Sequence, residues 1–236
     1  MYSHRMFALR AMVLAVCVAV VCLHAVRPAG AASIRGIVVL TGAVVAKKLP
    51  VTIDQYICGT EKPGEDLVVG PQGGLKNAVV WLQTPPAGAA WPSAPVKVEM
   101  DQKACVFVPR VVLVPAGGTV EFLNSDRLLH NLHSASTHNP TFNRTQPRSR
   151  VIPVTFSKPE IIQVNCDLHS WMRAWVVVAE HPYYAVSNEA GEFTLPNVPA
   201  GKYVLQIWQE TLGITSREVS VGAEDARVTV ELKAPR

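Results

Sequence analysis

The chain lacks the signatures of several common metal-binding and helical proteins. Its 236 residues include five cysteines, and no two of them form a Cys-x-x-Cys pair. That absence argues against covalently attached haem and against a structural zinc site built from cysteine pairs. Outside the N-terminus, no segment keeps the 3.6-residue apolar period of an amphipathic helix. The sequence therefore excludes a helical fold and directs attention to short strands and to isolated histidine and cysteine residues.

Residues 1–32 contain no acidic residue and are typical of a secretory signal peptide. Arg5 and Arg10 precede an apolar run over residues 11–23, and small residues follow at 29–33. The apolar run is too short to span a bilayer comfortably. We predict a cleaved signal, a periplasmic or exported protein and no stable membrane insertion after cleavage. An uncleaved anchor is the alternative.

The remaining chain carries almost no net charge and three cysteines. Without residues 1–32 it has 19 basic and 18 acidic residues, so a nucleic-acid-binding surface is not expected. An odd number of cysteines in an exported chain favours one disulfide and one thiol with a separate role. We predict a disulfide between Cys58 and Cys105, which leaves Cys166 for a metal. The alternative is that Cys58 and Cys105 are buried free thiols.

Short β-rich segments separated by Gly, Pro, Asn and Asp predict an all-β protein. The 18 prolines and 15 glycines, spread along the chain, suit the turns of β-sandwiches. We divide the mature chain into an N-terminal β segment at 33–95, a central domain at 96–180 and a C-terminal β domain at 181–236. The predicted strands are Ile34–Leu40, Ala78–Leu82, Val96–Met100, Val111–Val114, Thr119–Leu123, Ile161–Asn165, Trp175–Ala179, Gly191–Leu195, Tyr203–Trp208 and Arg227–Leu232.

One loop of the central domain carries three side chains that bind soft metals. Cys166, His169 and Met172 lie three residues apart, between two predicted strands, and His130 follows an earlier strand. Two histidine nitrogens, one thiolate and a weaker axial thioether are the ligands of a blue copper site. Cys-x-x-His alone also occurs in zinc sites and by chance, but the methionine favours copper. We predict one type 1 copper with these four ligands.

The central domain resembles a known family. The block 102–109, His130-Asn131 and the Cys166 loop are similar to cupredoxins of the plastocyanin and amicyanin type, and the short Cys-x2-His-x2-Met loop is most like that of amicyanin. The whole mature chain resembles bacterial exported proteins of the methylamine-utilisation type. This resemblance implies a Greek-key β-sandwich and copper ligands at His130, Cys166, His169 and Met172.

The same resemblance implies a supporting residue and shows one departure. Asn131 corresponds to the residue that braces the copper site and helps to orient its backbone toward the cysteine sulfur. Ser170 stands where amicyanin-like loops commonly carry proline after the histidine. We expect this departure to soften the loop and to shift the reduction potential.

The two ends of the mature chain resemble a second family. Gly191-x-Phe193 and the segment 199–203 are similar to the carboxypeptidase regulatory-like, or transthyretin-like, fold. The stretches 34–38 and 78–82 resemble the opening strands of that fold. We hypothesise that the cupredoxin domain is inserted into one small β-sandwich that is built from both ends of the chain.

The leading hypothesis is a periplasmic copper protein that carries single electrons and is not an enzyme. Copper oxidases and nitrite reductases need further histidine clusters such as His-x-His, and the sequence has none. We predict that the exposed edge of His169 is the electron port and that the partner is a c-type cytochrome or a dehydrogenase. The alternatives are a copper-delivery protein without a redox role and a surface-interaction or carbohydrate-binding β module.

Three further residues near the ligands have two interpretations each. His133 and His138 fit a solvated loop, although His133 could instead support or contact the copper. Trp171 either packs over the site or belongs to an apolar docking patch around His169.

Overall fold

The computed structural model describes residues 32–235. The predicted signal peptide therefore lies outside the described residues, except for Ala32, where the first strand begins. Within 32–235, no helix is long and apolar enough to cross a bilayer. One four-residue α-helix, α1 at Gln55–Cys58, and one 3₁₀ turn at Pro71–Gly73 interrupt an otherwise β structure.

The described chain forms strands that alternate with tight turns, as the predicted all-β class requires. In chain order the strands are β1 Ala32–Thr41, β2 Lys48–Pro50, β3 Glu61–Pro63, β4 Val79–Leu82, β5 Lys97–Lys103, β6 Val106–Val108, β7 Val111–Pro115, β8 Thr119–Asn124, β9 His130–Ala135, β10 Phe142–Gln146, β11 Ile152–Thr155, β12 Glu160–Asn165, β13 Arg173–Ala179, β14 Tyr184–Val186, β15 Glu192–Val198, β16 Gly201–Gln209, β17 Gly213–Val221 and β18 Ala226–Lys233.

The central part of the chain forms a sandwich of two sheets, which we call the first sandwich. One sheet has the strand order β10-β9-β12-β13-β7, and the other has the order β11-β8-β5-β6. Strand β8 alternates buried and half-buried residues, so one of its faces supplies the core. The fully buried Phe107, Phe122 and Phe156 lie in that core, which also contains Cys166 and Met172. Two of the predicted metal residues therefore lie within the main apolar core of this sandwich.

Strands from both ends of the chain form two further sheets, which we call the second sandwich. In one sheet β1 lies between β15 and β18, and it pairs in parallel with β18 along eight residues, from Ile34↔Ala226 to Thr41↔Lys233. In the other sheet β4 lies between β14 and β16. A separate core that includes Ile34, Leu82 and Leu205 fills the space between them. Strands β1 and β4 thus depend on residues 184–233 for their strand partners, whereas β2 and β3 pair with each other.

The two sandwiches share an apolar contact and a buried ion pair. Val79 and Trp208 of the second sandwich pack with Val111 and Val177 of the first. Close by, the guanidinium of Arg110 donates two hydrogen bonds to the carboxylate of Glu210, at 2.6 and 2.9 Å. The two side chains are only 6% and 4% exposed, so this bidentate pair is shielded from solvent.

Every one of the ten predicted strands is present, usually one to three residues longer than predicted. From the sequence alone, the polar stretch 140–150, which has no apolar period, is expected to be a surface loop. That expectation is wrong, because the stretch contains the edge strand β10, which pairs with β9 from Phe142↔Ser134 to Gln146↔His130. Three of its residues face solvent and carry polar side chains, so the alternation typical of a strand is hidden in the sequence.

Candidate metal centre

A tight loop at one end of the first sandwich positions the predicted ligands. Strand β12 ends at Asn165, and β13 begins at Arg173, so residues 166–172 connect two neighbouring antiparallel strands. The loop closes on itself: the Cys166 amide donates to the Met172 carbonyl at 3.2 Å, and the Met172 amide donates to the His169 carbonyl at 2.8 Å. These backbone bonds fix the three residues relative to one another. His130, the first residue of β9, enters from the adjacent strand.

Three donor atoms converge at this end of the sandwich. The Nδ1 atoms of His130 and His169 are 2.9 Å apart, and Cys166 Sγ lies 3.8 Å from the first and 3.5 Å from the second. A single ion with bonds of about 2.0–2.3 Å to nitrogen and sulfur spans a triangle of this size. All three side chains are at most 2% exposed. The residues present therefore fit a small, enclosed site for one metal ion.

Met172 is positioned by the same loop and is buried in the same core. Its side chain is 1% exposed and packs in the cluster that contains Cys166 and Trp171. The structure brings His130, Cys166 and His169 together as donors, and it places Met172 next to them in the loop. A buried thioether is the weak ligand of blue copper sites.

Asn131 braces the cysteine from the neighbouring strand. Its backbone N–H donates to Cys166 Sγ at 3.5 Å, and its side-chain oxygen accepts a hydrogen bond from the Asp167 amide at 2.5 Å. Its amide nitrogen donates to Asn143 on β10 at 2.7 Å. These contacts tie the start of the ligand loop to β9 and β10. An N–H directed at the sulfur also stabilises negative charge on it.

Two carboxylates that sequence reasoning missed face the far side of the histidines. Asp126 Oδ2 lies 2.9 Å from His130 Nε2, and Asp54 Oδ2 lies 3.2 Å from His169 Nε2. Each carboxylate accepts the Nε2 proton and so leaves Nδ1 free to bind a metal. The Asn-x-Asp turn four residues before His130 is a weak signal for Asp126. Asp54 is more than a hundred residues from His169, and no local pattern points to it.

The predicted electron port at His169 was wrong. We expected an exposed imidazole edge, but His169 is 0% exposed. Asp54 and the segment around it cover the edge that would otherwise face solvent. That segment is fixed to the first sandwich by the predicted Cys58–Cys105 disulfide, which is present. Cys166 is the free cysteine of the described chain, and it is buried.

The metal-free site holds a proton where a metal would bind. Because both Nε2 atoms face carboxylates, the two Nδ1 lone pairs point toward each other across 2.9 Å and repel unless a cation lies between them. Burial alone lowers the pKa of His130, but hydrogen bonds to Asp126 and Cys166 outweigh it and raise this pKa to about 9. His130 is consequently protonated at neutral pH in the absence of metal.

The cysteine is shifted toward its thiolate form. Burial raises the pKa of the Cys166 thiol, yet hydrogen bonds from His130 and from the Asn131 and Leu168 amides bring this pKa below its ordinary value. Burial lowers the pKa of His169, and Asp54 opposes that effect only in part. These pKa shifts favour the thiolate form of Cys166 beside protonated His130 and the neutral form of His169, a donor set suited to a cation.

The neighbouring histidines lie outside the converging group. His133 faces solvent on β9 and contacts the Asp167 carboxylate at 2.9 Å. His138 is exposed, and its backbone N–H donates to Glu160 at 3.2 Å. His133 therefore contacts the ligand loop through the Asp167 carboxylate and not through the metal-binding side chains.

Trp171 packs against the site and also borders an open groove. Its ring centroid is 5.2 Å from that of His169, and its indole N–H donates to the Cys105 carbonyl at 2.9 Å. Although only 8% exposed, Trp171 lines a groove of about 360 Å³ together with Ser170 and Arg173. The packing interpretation is therefore confirmed. The groove is lined largely by polar and charged residues, among them Lys47, Glu65 and Arg173, so it is not the apolar patch that the other interpretation expected.

Comparisons with known proteins find structural similarity only. No protein-family model matches the chain, and no curated protein matches it. A copper-containing nitrite reductase from Thermus scotoductus SA-01 is 26% identical over 41% of this chain, with a TM-score of 0.34, and the match spans 25% of that enzyme. A purple cupredoxin from Nitrosopumilus maritimus is 20% identical over 35% of this chain and 99% of its own, with a TM-score of 0.31.

Amicyanin structures give a similar result. A reduced amicyanin variant is 22% identical over 44% of this chain and 99% of its own, with a TM-score of 0.33. TM-scores at this level establish neither a family nor a function for the chain. The functional assignment therefore depends on the side chains of the site itself.

Proposed function

We propose that this protein is an exported type 1 copper protein that carries single electrons between redox partners. The observation that supports the proposal is the convergence of two imidazole nitrogens and one cysteine sulfur, all buried, next to the loop residue Met172. Bound copper would supply a reversible one-electron change between Cu(II) and Cu(I). His130, Cys166 and His169 would hold it, with Met172 as a weaker fourth ligand.

The protein's contribution is to hold these donors still. The loop bonds between Cys166 and Met172 and the Asn131 contacts are made by the protein itself and do not require a bond to a metal. Preorganised ligands change little between two oxidation states, so electron transfer is not slowed by rearrangement of the site. The low exposure of the three donors keeps water away from the metal, which favours electron transfer over chemistry on a bound substrate.

Because His169 is covered, electrons need another route to the surface. Trp171 contacts His169 and lines the groove beside the ligand loop, so it offers a path of contacting side chains from His169 to the surface. We propose that a c-type cytochrome or a dehydrogenase exchanges electrons at this groove. Export to the periplasm agrees with the Cys58–Cys105 disulfide, which persists in oxidising compartments.

Voltammetry and rapid mixing of the copper-loaded protein test this function. We expect one reversible one-electron wave, fast exchange with a c-type cytochrome, and slower exchange for Trp171→Leu at an unchanged potential. If the protein binds Cu(I) tightly without a reversible wave, copper delivery is the better account. If it binds neither Cu(I) nor Cu(II), the surface-interaction or carbohydrate-binding hypothesis replaces both.

A further inference from the structure

A segment outside the first sandwich covers the metal-binding end. We call residues 48–63 the strap: it contains β2, α1 and β3, and β2 and β3 pair from Lys48↔Pro63 to Pro50↔Glu61. The strap leaves the second sandwich after β1 and lies across the ligand loop, where Val51 and Cys58 enter the core of the first sandwich. It is therefore an addition to the sandwich that forms part of the wall of the site.

Several bonds hold the strap in place. The Cys58–Cys105 disulfide connects it to the turn between β5 and β6, and Lys62 Nζ donates to the Ala104 carbonyl at 2.6 Å. Cys105 contacts the ligand side as well, because its carbonyl accepts the Trp171 indole N–H. The strap and the ligand loop thus share one anchor residue, which fixes their relative position.

Asp54 is held at the start of the short helix of the strap. Its carbonyl accepts hydrogen bonds from the Ile57 and Cys58 amides at 3.0 and 2.9 Å, and its backbone is left-handed, with φ at 54°. A non-glycine residue adopts this conformation at a cost and keeps it only where its surroundings fix it. The fixed backbone directs the carboxylate at His169 Nε2, 3.2 Å away.

We propose that Asp54 is a positioning residue of the metal centre. Resting on the proposed copper function, the inference is that Asp54 orients the His169 ring, keeps its proton on Nε2 and favours the oxidised form of the metal through its negative charge. Asp126 acts in the same way on His130. A thiolate and two carboxylates then surround one cation, and the strap contributes one of these three negative groups.

The Asp54→Asn variant tests the proposal because an amide has nearly the same shape but no charge. The matched control is Glu99→Gln, which removes one exposed carboxylate on β5. We expect Asp54→Asn to raise the Cu(II)/Cu(I) reduction potential by about 59 mV or more, equivalent to a tenfold shift in relative affinity for one electron. Glu99→Gln should change it by much less, and Asp54→Glu should lie near the wild type.

A second measurement works without metal. In the metal-free protein, ¹⁵N NMR of the His169 ring should show the proton on Nε2 in the wild type and a mixture of tautomers in Asp54→Asn. If wild-type protein takes up no copper, the proposed function fails while this measurement still reports on Asp54. Equal potential shifts in Asp54→Asn and Glu99→Gln, with an unchanged His169 tautomer, would overturn the proposal.

Discussion

His130 is the residue at which protonation and metal binding compete most directly. It lies between the Asp126 carboxylate and the Cys166 sulfur, both of which attract a proton or a metal cation. Its Nδ1 is both the atom that meets the other donors and the position where the metal-free site can hold a proton. A metal that enters the site must therefore displace this proton.

Copper binding is expected to depend on pH up to about pH 9. The raised pKa of His130, about 9, means that the metal-free site is protonated below that value, so the apparent copper affinity should fall by up to tenfold for each pH unit below it. Isothermal titration with a competing chelator at several pH values measures this slope. An affinity that is constant between pH 7 and 9 would contradict the assignment of the proton to the site.

The raised pKa of His130 has the opposite effect on the stability of the metal-free protein. A histidine whose pKa is raised by folding stabilises the folded state fully below its unfolded value near 6.5, and it loses that contribution as the pH rises through about 9. The metal-free protein should therefore become less stable over the range in which copper binds more tightly. Denaturant unfolding with and without copper separates the two trends.

At the scale of elements, the strap controls how far the metal centre is exposed to solvent. Its disulfide closes a loop between residues separated by 47 positions, and the chain-entropy model assigns such a bridge roughly 4 kcal/mol. Val51 and Cys58 also bury apolar surface in the first sandwich. Covalent and apolar contacts therefore act together to hold Asp54 over His169.

Removing the disulfide should open the site. The double variant Cys58→Ser/Cys105→Ser is expected to lose roughly 4 kcal/mol of unfolding free energy and to release copper to a chelator faster than the wild type. Chelator-exchange kinetics under conditions where both proteins stay folded measure the second effect. An unchanged release rate would mean that the strap does not control access to the metal.

The sequence predicts the ligand loop well and the strap poorly, for a physical reason. Cys166, His169 and Met172 are local in sequence, and their spacing reflects one tight loop between paired strands. Asp54 meets His169 across a sequence separation of 115 residues through a short helix with little sequence signature. The position of the strap follows from the disulfide and from long-range packing, so the burial of His169 could not be predicted from local patterns.

Strand β10 shows the same limit within a sheet. Its exposed polar residues resemble a loop, and only the pairing with β9 makes them a strand. Through Asn143, which donates to Asp167 at 2.7 Å, this edge strand also supports the ligand loop. Strands β8 and β12 were predicted because they are rich in apolar, β-forming residues bounded by turn residues, and the structure buries alternate residues of each.

For the whole molecule, the main feature is that the two ends of the chain share two sheets. Strand β1 lies between β15 and β18, and β4 lies between β14 and β16. We propose that these strands form one regulatory-like domain with the copper domain inserted between them. On this view, residues 34–90 do not fold independently of 181–236, and a stable proteolytic fragment limited to 34–90 would contradict it.

The buried Arg110–Glu210 pair should couple the stability of the two sandwiches. Arg110→Met leaves the Glu210 carboxylate, only 4% exposed, without its strongest partner, and we expect a loss of about 3–5 kcal/mol in unfolding free energy. The exposed pair Arg35–Asp225 is the matched control, and Arg35→Met should cost at most about 1 kcal/mol. Equal losses in the two variants, measured by urea unfolding, would show that the buried pair has no special role.

Above all, we expect Cys166, together with two histidines, to bind one copper ion as a thiolate ligand. Titration of residues 33–236 with Cu(II), followed by visible absorption, tests it most directly. We predict an intense thiolate-to-copper band that saturates at one copper per protein, disappears in Cys166→Ser and persists in Met172→Leu, because the axial ligand is the weak one. Copper binding without this band, or a band that survives in Cys166→Ser, would contradict the account.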